Sequence, residues 1–166
     1  MTITGLERDV VSMDAIALYS GYENENRNPE HFSLHDCHAE LAEYDNESLT
    51  FFFPEGFYYA AYGKDWPNTG DAAVSFKTKD AYLYLFVQKD GQTIREEYTV
   101  DQLVDKVIRK EWDLEFLYRY DRYKEIMFYG WVWINCKPFH HEFQLFVETD
   151  EETYRWNSIK KPEEQI

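Results

Sequence analysis

At 166 residues and 44% hydrophobic composition the chain is long enough for one domain with its own core, and 7 Gly with 5 Pro exclude a collagen-like or low-complexity chain. Thirty-two acidic against 17 basic residues give a formal net charge of -15. Such a field repels nucleic-acid phosphates and anionic lipid, so nucleic acid and membrane surfaces are excluded as partners and a basic protein is favoured. The cysteines Cys37 and Cys136 are too few for a disulfide framework. Glu7, Arg8 and Asp9 interrupt any signal-peptide core, and no apolar run could span a bilayer, so the expectation is a cytoplasmic protein with reduced thiols and no cofactor.

In chain order, Val10, Val11, Ala15, Leu18 and Tyr19 could form one face of a short N-terminal helix. The polar, asparagine-rich stretch from Gly21 to Glu30 reads as a loop. A hairpin follows and organises the chain. Its first strand runs from Leu34 through Leu41 and its turn is Asp45-Asn46-Glu47. Its second strand carries Leu49, Phe51 and Phe53 until Pro54-Glu55-Gly56 interrupts. Strict alternation would point His35, Cys37, Ala39 and Leu41 inward and Asp36, His38 and Glu40 outward. Phe57 to Tyr62 resumes an aromatic stretch, and Gly63 to Gly70 is a loop centred on Trp66.

Short strands are predicted over Ala72 to Lys77 and Ala81 to Gln88, and Asp90-Gly91 predicts a tight turn into a strand over Thr93 to Tyr98. Thr99 with Gln102 makes a capping box, and Val100, Leu103, Val104, Val107 and Ile108 make the apolar stripe of a helix over about 100–111. Trp112 is expected to fold under its end. Long strands follow at Leu114 to Tyr120, Glu125 to Asn135 and His141 to Thr149. The middle one is apolar on both faces and is therefore central. Tyr154 and Trp156 add a last pairing before a tail, 157–166, expected to fray. The fold class is α+β, mostly antiparallel β in a sandwich- or barrel-like arrangement with one packed helix, as a single domain over 1–166.

His35, Cys37 and His38, with Cys136, His140 and His141, are the one group with zinc-type donors, and His35, Cys37 and His38 are the candidate ligands. The competing reading makes Cys37 and Cys136 small buried apolar residues. Cys37 with His35 as base and Asp36 as orienter could also form a nucleophile pair, although no oxyanion-binding helix start lies nearby. Tyr118-Arg119-Tyr120-Asp121-Arg122-Tyr123-Lys124 interleaves rings and cations as single-strand binders do, but the net charge favours a strand end and turn. Trp66, Trp131 and Trp133 are candidate anchors of an aromatic interface with an acidic rim, against the alternative that Trp131 and Trp133 lie beneath the helix.

The run Leu34-His35-Asp36-Cys37, followed by Leu49-x-Phe51-x-Phe53-x-Glu55-Gly56-Phe57, resembles a group of small uncharacterised bacterial proteins, some of which look like immunity proteins of toxin systems. The resemblance covers about two dozen residues and implies a β-rich fold rather than an activity. Three functions follow. The first is a non-enzymatic acidic interaction protein of immunity or inhibitor type with a basic partner. The second is a metal- or small-molecule-binding domain, or an enzyme, using His35, Cys37 and His38. The third is a structural subunit that homodimerises through the Trp131 strand or an edge strand. Asp36 and His38 are expected to hydrogen-bond the start of the following hairpin and set its register.

Overall fold

The structure, a computed structural model, describes residues 21–59, 68–134 and 139–159. Among the described residues there are thirteen strands and one α-helix: β1 (Asn24–Asn26), β2 (Phe32–Ser33), β3 (Cys37–Ala39), β4 (Leu41–Asp45), β5 (Ser48–Phe53), β6 (Tyr58–Tyr59), β7 (Ala72–Lys77), β8 (Asp80–Lys89), β9 (Gln92–Thr99), α1 (Val100–Ile108), β10 (Trp112–Arg122), β11 (Glu125–Ile134), β12 (His140–Glu148) and β13 (Glu152–Trp156). All strand pairings are antiparallel. One sheet has the order β1-β13-β7-β5-β4, a second β3-β10-β11-β12-β8-β9, and β2 with β6 forms a small third. The expected α+β class with one packed helix is what is observed. The predicted N-terminal helix, Trp66, Cys136 and residues 160–166 lie outside the described residues.

The two large sheets meet face to face because each presents an apolar row at every second position. Phe51 and Phe53 of β5 and Phe76 of β7 meet Phe116 of β10, Phe128 of β11 and Phe143 of β12, all at most 2% exposed. Phe116 is the hub, with ring centroids 5.4 Å from Phe51, 5.7 Å from Phe53, 5.2 Å from Phe128 and 5.7 Å from Phe143. Gly130 sits opposite Phe116 in the register, where a Cβ would collide with the Glu115 carbonyl and lie 2.8 Å from the Phe143 ring. At one end Phe32 stacks on Tyr154 at 4.3 Å and meets Phe57 edge-on. The helix starts at the predicted capping box, with Thr99 N–H donating to Gln102 Oε1 at 2.9 Å and Gln102 N–H to Thr99 Oγ1 at 3.3 Å. Its Leu103, Val104 and Val107 are buried as it closes the side between β4 and β8–β10.

The organising hairpin differs from its sequence reading. β4 and β5 do pair around Asn46 and Glu47, both at positive φ as a tight two-residue turn requires. The expected first strand, however, is broken at Glu40: β3 pairs with β10 in one sheet and β4 with β5 in the other. Cys37 and Ala39 therefore face the core as expected. Leu41 instead joins Phe52 and Ala73 in a separate apolar cluster with Tyr22 and Ile108. His35 and Asp36 are in a turn, not a strand, closed by Cys37 N–H donating to the Leu34 carbonyl at 2.9 Å, with Asp36 at φ 61°.

Three smaller differences have local causes. The 21–30 loop contains β1, fixed to the edge of β13 by the Arg155–Glu25 ion pair at 3.0 Å. Trp112 does not merely tuck under the helix; it begins β10, buried against the Tyr98 ring at 4.7 Å. Asn157, placed in the tail by the sequence reading, is tied on both sides of its backbone to Asp71 and Gly70, and its side chain reaches the Asp71 carboxylate at 3.1 Å.

Candidate functional site

The six-stranded sheet buries one face in the core and turns the other away from it, and that second face is aromatic. On β11 the inward row is Ile126, Phe128, Gly130 and Val132, so Met127, Tyr129, Trp131 and Trp133 point outward and are half-buried. Across the pairing lie Phe146, Gln144, Glu142 and His140 of β12, and beyond them Tyr82, Tyr84 and Phe86 of β8. The rings support one another: Tyr82 stacks on Phe146 at 5.1 Å, Tyr84 meets Phe146 at 5.6 Å, and Tyr118 of β10 stacks on Tyr129 at 6.2 Å. His140 lies 4.4 Å from Trp131 and 4.7 Å from Trp133, wedged between the two indoles. Trp131 and Trp133 thus do not lie beneath the helix, which is on the opposite side of this sheet. Tyr118 and Tyr120 carry the surface on to the end of β10 at 53% and 56% exposure.

Carboxylates border these rings. Glu97, Glu142 and Glu148 are exposed, and Glu148 sits directly opposite Glu125 in the β11–β12 register, a like-charge pairing that costs the sheet stability. Burial first, and then Glu142, push the Tyr129 phenol up, so it stays a neutral donor. One cation already rests on the surface: the Arg95 guanidinium lies 4.4 Å over the Tyr84 ring.

His38 joins the same surface from the edge strand β3. Its Nδ1 is 2.9 Å from Asp113 Oδ1 and its Nε2 is 2.8 Å from Glu115 Oε1, and since both partners only accept, both ring nitrogens carry protons. This arrangement favours the protonated imidazole. The hydrogen bond to Asp113 raises its pKa against partial burial, aided by the charges of Asp113 and Glu115. Asp113 and Glu115 lie opposite Trp133 and Trp131 in the ladder. His38 thus fixes β3 to β10 rather than the register of the following hairpin. Asp36 does the same through its backbone, its N–H donating to the Phe116 carbonyl at 2.8 Å.

The other two proposed donors do not converge with His38. His35 Nδ1 donates to the Leu117 carbonyl at 2.6 Å, its Nε2 is 3.4 Å from Asp36 Oδ2, and its ring lies 5.5 Å from Tyr118. Cys37 faces the core, with its Sγ near the Ser33 and His35 carbonyls at 3.9 and 3.4 Å. Burial first, then the Asp36 charge, push its thiol up to about 12, which is the opposite of what a nucleophile or thiolate ligand needs. Among the described residues no three His, Cys, Asp or Glu side chains are arranged to hold a metal ion. Of the described candidates, His38, Trp131 and Trp133 come together on the open face, with His35 at its margin, while Cys37 is in the core.

Arg119, read from the sequence as one cation of an exposed ring-and-cation run, instead makes an ion pair that the sequence reading did not foresee. Leu117 is an extra residue in β10, a bulge that shifts the register between Phe116 and Tyr118. Arg119 consequently turns inward opposite Phe128. Its Nη1 and Nη2 grip the buried Glu152 carboxylate at 2.6 and 2.7 Å, while Tyr154 O–H donates to Glu152 Oε1 at 2.8 Å. Burial alone would lower its pKa, but the bonds to Glu152 and Asp121 hold it higher still. This pair anchors the free end of β10 to the opposite sheet.

The arrangement is an antiparallel β-sandwich with one aromatic sheet face that no described element covers. Comparison with protein-family models, curated proteins and solved structures finds no match for the chain. No helix among the described residues is long and apolar enough to cross a membrane.

Proposed function

We propose that the chain is a non-enzymatic acidic interaction protein, of inhibitor or immunity type, that binds a basic protein through the open face of its six-stranded sheet. The observation that carries this reading is the row of half-buried rings on that face, Tyr84, Phe146, Tyr129, Trp131 and Trp133, which no described element covers. Aromatic residues at the centre of a patch with charged groups outside it are the usual composition of an interface hot spot. Glu97, Glu142 and Glu148 select for cations, and Arg95 over Tyr84 illustrates how a partner's arginine or lysine would lie on a ring. A second copy of the chain is a poorer occupant, because it would bring these carboxylates of two chains of net charge -15 together.

The test is to capture basic proteins at low salt, purify the partner, and measure its affinity by calorimetry for the wild type and for Tyr84→Lys and Glu142→Lys. Each variant should weaken binding by about tenfold or more, and the wild-type affinity should fall as salt rises. An affinity indifferent to both substitutions would remove this face as the docking surface.

A further inference from the structure

The inner face of the same sheet carries a second site that the docking reading does not use. Where β8 and β9 approach the end of α1, a cavity of about 410 Å³ opens between the sheet and the helix. Its floor is apolar: Leu85 and Trp112 are 3% and 5% exposed, and Val87 and Ile134 complete it. Ionisable groups stand around this floor on three elements and one link, Glu96 and Tyr98 on β9, Lys106 on the helix, Glu111 just after it, and His141 on β12. A concave apolar site of a few hundred Å³ with a few convergent polar groups is the usual form of a small-ligand pocket.

The charges around it are unequally satisfied. Lys106 Nζ is committed to Glu111 Oε2 at 2.9 Å. Glu96 receives only a neutral donor, the Tyr98 hydroxyl, at 3.0 Å on Oε1, and has no cationic partner among the described residues. Burial, and then the bond to and charge of Glu96, push the Tyr98 phenol up, and a phenol carries no positive charge in either protonation state, so Tyr98 supplies no countercharge. The pocket therefore presents one uncompensated carboxylate beside an apolar floor. An anionic ligand would meet Glu96 and Glu111 with the nearby lysine already engaged. A purely apolar ligand would strip water from Glu96 without replacing it.

We infer that this pocket binds an alkyl cation, with a guanidinium or ammonium head on Glu96 and its methylene stem over Leu85, Val87, Trp112 and Ile134. An arginine or lysine side chain of a protein partner and a free alkylguanidine or alkylamine share this chemistry. The inference goes beyond the docking reading, and its first assay contains no protein partner, so either can fail without the other.

The assay is a methyl and indole NMR titration of the full chain with N-butylguanidinium and with its neutral isostere N-butylurea. N-butylguanidinium should shift the Leu85 and Val87 methyls and the Trp112 indole, with a dissociation constant on the order of 1 mM. N-butylurea should bind at least about fivefold more weakly. Glu96→Gln, which keeps an acceptor for Tyr98, should weaken N-butylguanidinium binding by at least about tenfold. Val87→Lys should compete from within the pocket and do the same, so the conclusion does not hang on one variant. No shift at these groups, an equal response to N-butylurea, or undiminished binding in both variants overturns the inference. A basic protein partner whose affinity also falls in Glu96→Gln identifies the cation as one of its side chains. An unchanged complex, with the small-molecule shifts still lost, identifies a free alkyl cation.

Discussion

Replacing Arg119 by methionine keeps the apolar stem of the side chain but removes both bonds to Glu152, the bond to the Tyr154 hydroxyl at 3.3 Å and the fork onto Asp121 at 2.8 to 3.1 Å. What remains is a carboxylate 8% exposed in its side chain, opposite Phe76 in the β13–β7 ladder, with one tyrosine hydroxyl as donor. Breaking a buried ion pair from one side costs about 3–5 kcal/mol, chiefly because the other charge stays buried and unpaired. The Arg119 side chain is 26% exposed, so water already screens part of the pair and the lower end, about 3 kcal/mol, is expected. The contact with Asp121, whose side chain is 61% exposed, adds little.

With a denaturant slope of about 2 kcal/mol per molar urea, the midpoint followed by tryptophan fluorescence should fall by about 1.5 M at neutral pH. The double variant Arg119→Met with Glu152→Met should recover most of this loss, because both charges then leave together. A single variant within about 0.5 kcal/mol of wild type, or a double variant no better than the single, would refute the claim that Glu152 depends on Arg119.

Gly130→Ala should be among the most destabilising single changes, at about 3 kcal/mol or more, since its methyl group meets the Glu115 backbone and the Phe143 ring at once. Thermal unfolding compared with a methyl addition at an open glycine, Gly91→Ala, checks this, although that site carries its own strain at φ 74°. His38→Gln tests the raised imidazole pKa. A group held protonated by the fold contributes stability that is complete below its unfolded value of about 6.5 and is lost as pH rises through the raised folded value. The wild type should therefore exceed the variant by about 0.5–1 kcal/mol in mild acid, the range for partly exposed pairs, and the two should converge at alkaline pH. Urea midpoints measured across that range would contradict the assignment if the gap were constant or widened with pH.

Local chemistry made much of the fold legible. The Asp90-Gly91 turn and the Thr99/Gln102 capping box are each decided within a few residues, and both stand where the sequence reading placed them. The break at Glu40 was not legible because Cys37, Ala39 and Leu41 continue one apolar alternation. What divides them is their partners, Leu114 for Ala39 and Phe52 for Leu41, which lie in different sheets. The open face was half visible. With Trp131 and Trp133 on one row of β11 and Val132 on the other, hydrophobicity alone could not say which row faces the core. Gly130 held that information, since a glycine in the same row as Val132 marks the tightly approached side. Arg119 was hidden by the Leu117 bulge, which reverses the face of every residue after it.

The position of β13 has a consequence for how the molecule is made. It lies between β1 and β7, so the strand at residues 24–26 finds its hydrogen-bonding neighbour only once residues 154–156 have been synthesised. β3 likewise waits for residues 114–116. β5 pairs early with β4 and β7, and β8 with β9, but a chain emerging from the ribosome must hold the phenylalanine face of β5 uncovered until Phe116 is made, and one edge of β8 open until residues 142–148 follow; contacts so distant in sequence form slowly. Production of this protein in cells should therefore be limited less by its final stability than by the time its nascent sheets spend with apolar faces uncovered and edges open, and slower, cooler synthesis or added chaperone should raise the soluble yield.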